Sequence, residues 1–281
     1  MNKLQSIVAI VSVFLIGVIA NYSTLGEQKH IEGFQIHYLD VGQADSSVVF
    51  LPDGKTMLID GGNQNDGKFV SDYIQKCGRD EIDYLVATHP HEDHIGGLKT
   101  VVNAFDINNI YMPKVAYNSK LYADLLTAID EKSYKIKSAK NGVVIAETDD
   151  YKIEILSPIQ ESYKDINHYS VILKLTYKDT SYLFTGDAEV INERELTGDF
   201  SADVLKVGHH GSSTSSSKKF LEKVNPELAV ISVGKDNSYG HPDDEILKRL
   251  DSLNIQTLRT DINGTIVVKS DGSNITYEGE R

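Results

Sequence analysis

Thr88-His89-Pro90-His91-Glu92-Asp93-His94-Ile95-Gly96-Gly97 places three histidines and an aspartate within six positions. Imidazole and carboxylate at this density suit zinc-like first-row metals. The alternate spacing of His89, His91 and Asp93 predicts a tight loop rather than the i,i+4 face of a helix. Upstream, Ile82-Asp83-Tyr84-Leu85-Val86-Ala87 reads as a short buried strand. Downstream, Gly96-Gly97 permits close backbone approach ahead of the periodic Leu98, Val101 and Val102. The ligands are therefore expected at the carboxyl end of a strand, where open α/β sheets place their sites.

From Ile31 onward, β-like runs alternate with helical patterns, without an internal repeat. Residues 34–39, 47–51 and 56–60 read as strands, the last two joined by the turn chemistry of Pro52-Asp53-Gly54-Lys55. Helical spacing appears at Phe69, Tyr73 and Ile74, and again at Leu121, Leu125, Leu126 and Ile129. Strands are expected at 152–156, 171–177, 182–185, 202–207, 228–233, 264–269 and 275–277, with helices at 218–224 and 243–253. Two strand-plus-helix halves facing each other imply an α/β (α+β) class, a sheet-on-sheet core with helices outside.

The chain of 281 residues is 40% hydrophobic and 25% charged, as in ordinary globular proteins. Its formal charge of -13 opposes broad attraction to nucleic acid or an anionic membrane face. Bound divalent metals would reverse that sign locally. The single cysteine, Cys77, excludes an intrachain disulfide. Residues 4–20 carry no charge and are dominated by Ile, Val, Leu and Phe, a length between a signal-peptide core and a full membrane span. Val18 and Ala20 have the small character of a cleavage site. Residues 1–25 are thus expected to be a signal peptide or an N-terminal membrane anchor, giving a secreted or membrane-anchored, extracytoplasmic protein.

Four further segments fall at the ends of expected strands: Phe184-Thr185-Gly186-Asp187, Val207-Gly208-His209-His210-Gly211-Ser212, Asn167-His168-Tyr169-Ser170 and Asn237-Ser238-Tyr239-Gly240-His241-Pro242. A lone Asp or His at a strand end is commonly a cap. Several beside a dense ligand cluster point instead to one shared site.

His89-x-His91-x-Asp93-His94, with Asp60 in Leu58-Ile59-Asp60-Gly61-Gly62 and Asp187 downstream, resembles the metallo-β-lactamase superfamily. Leu39-Asp40-Val41-Gly42-Gln43-Ala44-Asp45-Ser46, His209-His210-Gly211-Ser212 and Asn237-x-Tyr239-Gly240-His241-Pro242 resemble the hydrolase domain of ComEC-type competence proteins. The resemblance runs from about Gly33 to the C-terminus, and nothing in the chain matches the multi-span channel of those proteins. It implies a four-layer αββα sandwich over residues 31–281, with a two-metal site on one edge. His89 and His91 would hold the first metal, Asp93 and His94 the second, and Asp187 would bridge them. His209 or His210 would complete the second site. His168 or its neighbour Asn167 stands where the superfamily has a third histidine. Asp60 is expected to be structural; Asp40, Gln43 and Asp45 lie in a loop expected to border the site, with Asp45 ordering that loop.

Two divalent ions, zinc foremost with manganese or iron as alternatives, would lower a bridging water's pKa toward about 7 and clamp attacking and leaving oxygens. Asp93 and Asp187 then belong to the catalytic centre, and His241 is expected to orient a phosphate oxygen or assist the leaving group. Ser212 and Ser213 are expected either to donate to substrate or to cap the following helix. Tyr117, Tyr122 and Tyr239 are candidates to stack a base or sugar. The leading expectation is a phosphodiesterase or nuclease-like hydrolase working through metal-bound hydroxide. The alternatives are hydrolysis of an acyl, lactam or lactone bond, or of a wall-polymer phosphoester of phosphorylcholine type. Partners are accordingly a small or polymeric phosphoester, nucleic acid, and the membrane through an uncleaved N-terminus. A non-catalytic module would have lost ligands, and here the whole first motif and Asp187 are present.

Overall fold

The strand signals resolve into two sheets packed face to face in a computed structural model that describes residues 31–281. The expected export segment lies outside the described residues. Among the described residues no helix is long and apolar enough to cross a membrane.

The first sheet contains β1 (Phe34–Tyr38), β2 (Ser47–Phe50), β3 (Thr56–Ile59), β4 (Glu81–Val86), β5 (Asp106–Met112), β6 (Ile136–Ser138), β14 (Ile266–Ser270) and β15 (Ile275–Gly279), in the order β15-β14-β1-β2-β3-β4-β5-β6. The second contains β7 (Val144–Glu147), β8 (Tyr151–Ser157), β9 (Ile172–Tyr177), β10 (Thr180–Phe184), β11 (Val204–Lys206), β12 (Leu228–Ile231) and β13 (Gln256–Arg259), in the order β13-β12-β11-β10-β9-β8-β7.

Strand periodicity explains the layers, because alternate side chains point to opposite faces. Phe34, Ile36 and Tyr38 of β1 enter the core between the sheets, where they meet Tyr182 and Phe184 of β10 and Val230 of β12. The intervening Leu183, Leu205, Ala229 and Ile231 form a separate outer core beneath α6 (Lys218–Val224) and α7 (Asp244–Ser252). On the first sheet, Val48, Leu58 and Leu85 pack outward against α1 (Gly67–Lys76), α3 (Leu98–Ala104) and α4 (Lys120–Glu131). Strands buried on both faces read as continuous apolar runs, as β12 (Leu-Ala-Val-Ile) does. The result is the four-layer αββα sandwich. Its remaining helices, α2 (Glu92–Ile95), α5 (Val190–Glu195) and α8 (Thr260–Asn263), are short.

Strand direction gathers the motifs on one edge. β3, β4, β5 and β6 run parallel, as do β10, β11, β12 and β13, so their carboxyl ends share an edge within each sheet. β9 is antiparallel to β10, so the segment before β9 reaches the edge that β10 reaches at its end. The structure adds β5, β6, β7 and the short helices α2, α5 and α8 to the elements expected from sequence. β5 reads Asp-Ile-Asn-Asn-Ile-Tyr-Met, and its polar residues mask the alternation, yet Ile107, Ile110, Tyr111 and Met112 are buried.

Gly96 and Gly97 make the close approach that their smallness permits. A Cβ on Gly97 would sit 2.2 Å from the Gly61 carbonyl oxygen, and one on Gly96 would sit 2.4 Å from the Gln64 amide nitrogen. The ligand loop is thereby pressed onto the Gly61-Gly62 turn, where Gly61 N donates to the His94 carbonyl at 2.7 Å and Gly97 N to the Gly62 carbonyl at 3.1 Å. Gly97→Ala forces these backbones apart. It is expected to lower stability by about 1–3 kcal/mol, as overpacking does, read as a lower urea midpoint at unchanged m.

Candidate metal centre

His89 and His91 lie in the loop that leaves β4, whereas Asp93 and His94 lie on the single-turn α2. The expectation of a loop throughout is corrected here. His91 is extended (φ -68, ψ 151) and caps the turn, its carbonyl accepting from the amides of His94 and Ile95. Asp187 follows β10 through Gly186, whose φ of +50 and contact with Thr88 (3.0 Å from a built Cβ) suit glycine. His209 and His210 follow β11, both in the left-handed region at φ 50 and φ 52.

Asp187 is the meeting point. Its Oδ2 lies 3.7 Å from His89 Nε2, and its Oδ1 lies 3.1 Å from His94 Nε2 and 3.7 Å from His210 Nε2. His89, His91 and Asp187 form one group of donor atoms within 4.8 Å of one another, and Asp93, His94, Asp187 and His210 form a second. The shared carboxylate turns one oxygen toward the His89 side and the other toward the His94 side. These His/Asp clusters are consistent with a binuclear metal site.

The uncompensated atoms test that fit. His94 Nε2 and Asp187 Oδ1 are buried and face each other at 3.1 Å without a well-directed hydrogen bond, and buried polar atoms so placed call for a further partner. The other ring nitrogens are already engaged. Thr88 Oγ1 donates to Asp60 Oδ2 at 2.6 Å and, its proton spent, accepts from His89 Nδ1 at 3.2 Å. His94 Nδ1 donates to Asp60 Oδ2 at 2.8 Å, and His210 Nδ1 donates to the Ser232 carbonyl at 3.0 Å. Each ring is left with Nε2 facing the centre, the arrangement metal-binding histidines adopt. The donors fit two divalent cations.

Charge supports the same reading. Burial holds the His89 and His91 imidazoles below their ordinary value, so both are neutral donors near pH 7. Burial also acts on His94, but Asp187, Asp93 and Asp60 outweigh it and raise its value well above normal. His210 is raised in the same way, chiefly by Asp187 and Asp45 against burial. Asp93 and Asp187 are held low although burial opposes it, because His94 and His210 face them. The carboxylates that raise these two imidazoles would equally attract a divalent cation.

The residues brought to the site by sequence separate into distinct places. His168 is not in either donor group. It sits in the 3₁₀ turn Asn167–Tyr169, where consecutive side chains point about 120° apart. Its Nε2 pairs with Glu189 Oε2 at 2.9 Å, its carbonyl accepts from Asn192 Nδ2 at 2.8 Å, and Asn167 lines the cleft in its stead. Asn167 Oδ1 is buried without a partner. His209 is likewise outside both groups. Its Nδ1 lies 3.3 Å from Glu189 Oε1, with Nε2 3.7 Å from Asp187 Oδ2, while His210 Nε2 meets Asp93 Oδ2 at 3.1 Å. Asp60 holds the loop as expected, also accepting from the Thr88 amide at 2.8 Å.

Gln43, His91, Glu92, Asp93, Asn167, Asp187, His209, His210, Tyr239 and His241 line a cleft of ≈ 350 Å³ over the centre. Asn237 organises the far wall: its Oδ1 accepts from the amides of Tyr239 and His241, and its Nδ2 donates to the carbonyls of Gly234 and His241. Gln43 Oε1 accepts from Gly234 N at 3.0 Å and ties that wall to the loop after β1. His241 stacks on Tyr239 with ring centroids 5.9 Å apart, and its Nδ1 lies 3.7 Å from Asp243 Oδ1. Asp40 lies farther off, paired with Arg281 at 2.6 Å. Ser217, rather than Ser212 or Ser213, caps α6 by accepting from the Phe220 amide.

Two residues that the sequence did not single out complete the surroundings. Lys206, buried in β11, pairs with Asp45 Oδ2 at 2.8 Å, and Asp45 Oδ1 lies 3.5 Å from His210 Nδ1. A charged residue within a two-sided buried strand was the available signal. Glu189 binds His168, His209 and Thr214, which lowers its pKa to about 2, first through His209. Asp45, Asp60 and His94 also form a group. Its atoms are engaged by Lys206 and by one another, so it supports the centre rather than adding a third cation.

Asp60→Asn keeps the shape and removes the charge that orients His94. Metal affinity is expected to fall about 10–100-fold, the usual effect of losing such a partner, as measured by competition with a chromogenic chelator.

Known proteins resemble the chain over most of its described length. The family model of the metallo-beta-lactamase superfamily matches residues 39–235. ComE operon protein 3 of Bacillus subtilis (strain 168) is 31% identical over 252 residues, covering 83% of this chain and 32% of that protein. Competence protein ComA of Neisseria gonorrhoeae is 30% identical over 197 residues, covering 69% of this chain and 26% of that protein. The chain thus spans about a third or less of the length of these curated relatives. Among solved structures, Tm1679, a metal-dependent hydrolase of the beta-lactamase superfamily, aligns with a TM-score of 0.54 at 14% identity, over 80% of this chain and 95% of that one, a likeness of fold. With its ligand motifs inside the matched span and converging on Asp187, the chain belongs to the metallo-β-lactamase superfamily, as a metal-dependent hydrolase.

Proposed function

We propose that the protein is an exported phosphodiesterase, nuclease-like in its chemistry, working with two divalent cations, zinc foremost and manganese or iron as alternatives. The observation that carries the reading is the Asp187 carboxylate, shared between two donor groups at the floor of a solvent-facing cleft. His89, His91 and Asp187 would hold one cation, with Asn167 beside it, and Asp93, His94, Asp187 and His210 the other. When bound, such a pair lowers the pKa of water and neutralises charge on attacking and leaving oxygens.

The chain's own residues supply position and exclusion. Asp60, through Thr88 and His94, fixes where the ligand loop stands relative to the cleft. His209 and His241 line the cleft outside both donor groups. Their ring N–H groups suit the charged non-bridging oxygens of a phosphodiester. We assign His241 the orientation of one such oxygen or of the leaving group, with Asp243 steadying its Nδ1 side. Export rests on the uncharged run of residues 4–20, and is part of the proposal.

The full chain, loaded with zinc or manganese, is assayed on bis-p-nitrophenyl phosphate, single-stranded DNA and a chromogenic lactam. Phosphodiester turnover is expected, abolished by chelation and restored by added metal. Asp187→Ala should lose more than the about 100-fold that removal of an outer partner costs. His241→Ala should lower kcat about 100-fold or more, as loss of a proton-handling group does, while metal content stays unchanged. Lactam turnover without phosphodiester turnover would overturn the reading.

A further inference from the structure

The same edge of the first sheet continues past the metal centre. β4, β5 and β6 are parallel neighbours, with Val86 opposite Tyr111 and Met112 opposite Ser138. Their carboxyl ends lead in turn to the ligand loop, to Pro113-Lys114-Val115-Ala116-Tyr117-Asn118 and to Ala139-Lys140-Asn141-Gly142. Neighbouring strands lie about 5 Å apart. Lys114 therefore starts one strand, and Lys140 two strands, from the strand that delivers His89 and His91.

Two clefts occupy this stretch. One, of ≈ 290 Å³, is lined by Lys114, Tyr122 and Ser138 among others, and the next, of ≈ 330 Å³, by Lys114, Ser138, Lys140 and Tyr169. They share Lys114 and Ser138. Residue contacts link them to the metal cleft on two sides. His91 contacts the Tyr117 ring (5.8 Å between centroids), which contacts Tyr122 (6.3 Å), and Tyr169 follows Asn167 and His168 in the turn that walls the metal cleft.

The charge on this edge runs against that of the chain. The two loops carry Lys114 and Lys140 and no acidic residue, in a chain of formal charge -13. Both lysines are exposed, and neither forms an ion pair among the described residues. Glu161 is the carboxylate on the lining of the second cleft. Unpaired cations at a regular step from a phosphoester-cleaving centre are what a chain of phosphates requires. A small monoester would have no use for them.

Resting on the phosphodiesterase reading, we infer that Lys114 and Lys140 form an anion track beside the metal centre, holding phosphates of a single-stranded nucleic acid that flank the cleaved linkage. A nucleic acid is favoured over a polyol phosphate by Tyr239, which is 70% exposed on the cleft rim beside His241 and offers an aromatic ring to a base. The track makes the enzyme prefer polymer to small diester.

The test separates the track from the catalytic reading. The full chain, wild type and Lys114→Ala/Lys140→Ala, is titrated at several salt concentrations with a fluorescent phosphorothioate oligothymidylate, with poly(glycerol phosphate) as competitor. Turnover of bis-p-nitrophenyl phosphate is measured in parallel. The double variant should bind the oligonucleotide at least about tenfold more weakly at low salt. Its log K against log salt slope should be smaller by about 1.4, which is about 0.7 for each phosphate no longer neutralised. Small-diester turnover and thermal midpoint should be unchanged. Equal affinity and slope in the two proteins would overturn the track, whatever the diester assay shows. A lysine-dependent affinity for poly(glycerol phosphate) exceeding that for the oligonucleotide would overturn its assignment to nucleic acid. Lysine-dependent oligonucleotide binding without any diester turnover would support the track and leave the catalytic reading to fail alone.

Discussion

A carboxylate with almost no access to water, Asp187 at 1% exposure, stands on the seam between two sheets and faces imidazoles from both. A buried charge is expensive unless it is matched by opposite charge at good geometry. The fold answers that demand by bringing the loop after β4 in the first sheet against the loops after β10 and β11 in the second. Neither sheet holds the centre alone. Sheet packing and ligand geometry are therefore one constraint, and the apolar core of Tyr38, Tyr182 and Phe184 beneath the seam sets the spacing that Asp187 needs.

Around that carboxylate each imidazole has its other nitrogen tied down. Asp60 takes His94, Thr88 takes His89, and the Ser232 carbonyl takes His210. Asp45 and Lys206 form a buried ion pair behind His210. His209 and His210 stand in the left-handed region, which costs about 1–2 kcal/mol for each non-glycine residue. That conformation turns successive side chains to different partners, His210 to Asp93 and His209 to Glu189. Local strain here is offset by contacts that over-determine the backbone.

Much of this was legible in the chain because the relevant signals are short and local. The period-two runs of β1, β10 and β12 and the ligand loop after β4 can be read from adjacent residues. β5 could not, since its asparagines obey hydrogen bonding to Asp83 of the neighbouring strand rather than an alternation rule. The choices between Asn167 and His168, and between His209 and His210, depend on which way one turn of backbone faces. Spacing carries no information about that. Lys206 is marked in sequence only as a charge inside an apolar strand, and its partner, Asp45, lies far away along the chain. Residues 1–25 keep the status of an expectation, outside the described residues.

On the proposed reading, Asp187 would be shared by two cations, with His168 holding neither. Anomalous diffraction from crystals of the metal-loaded protein tests it most directly. Two peaks are predicted, one beside Asp187 Oδ2 with His89 and His91, the other beside Asp187 Oδ1 with Asp93, His94 and His210. A single peak, or a peak ligated by His168, would contradict the account.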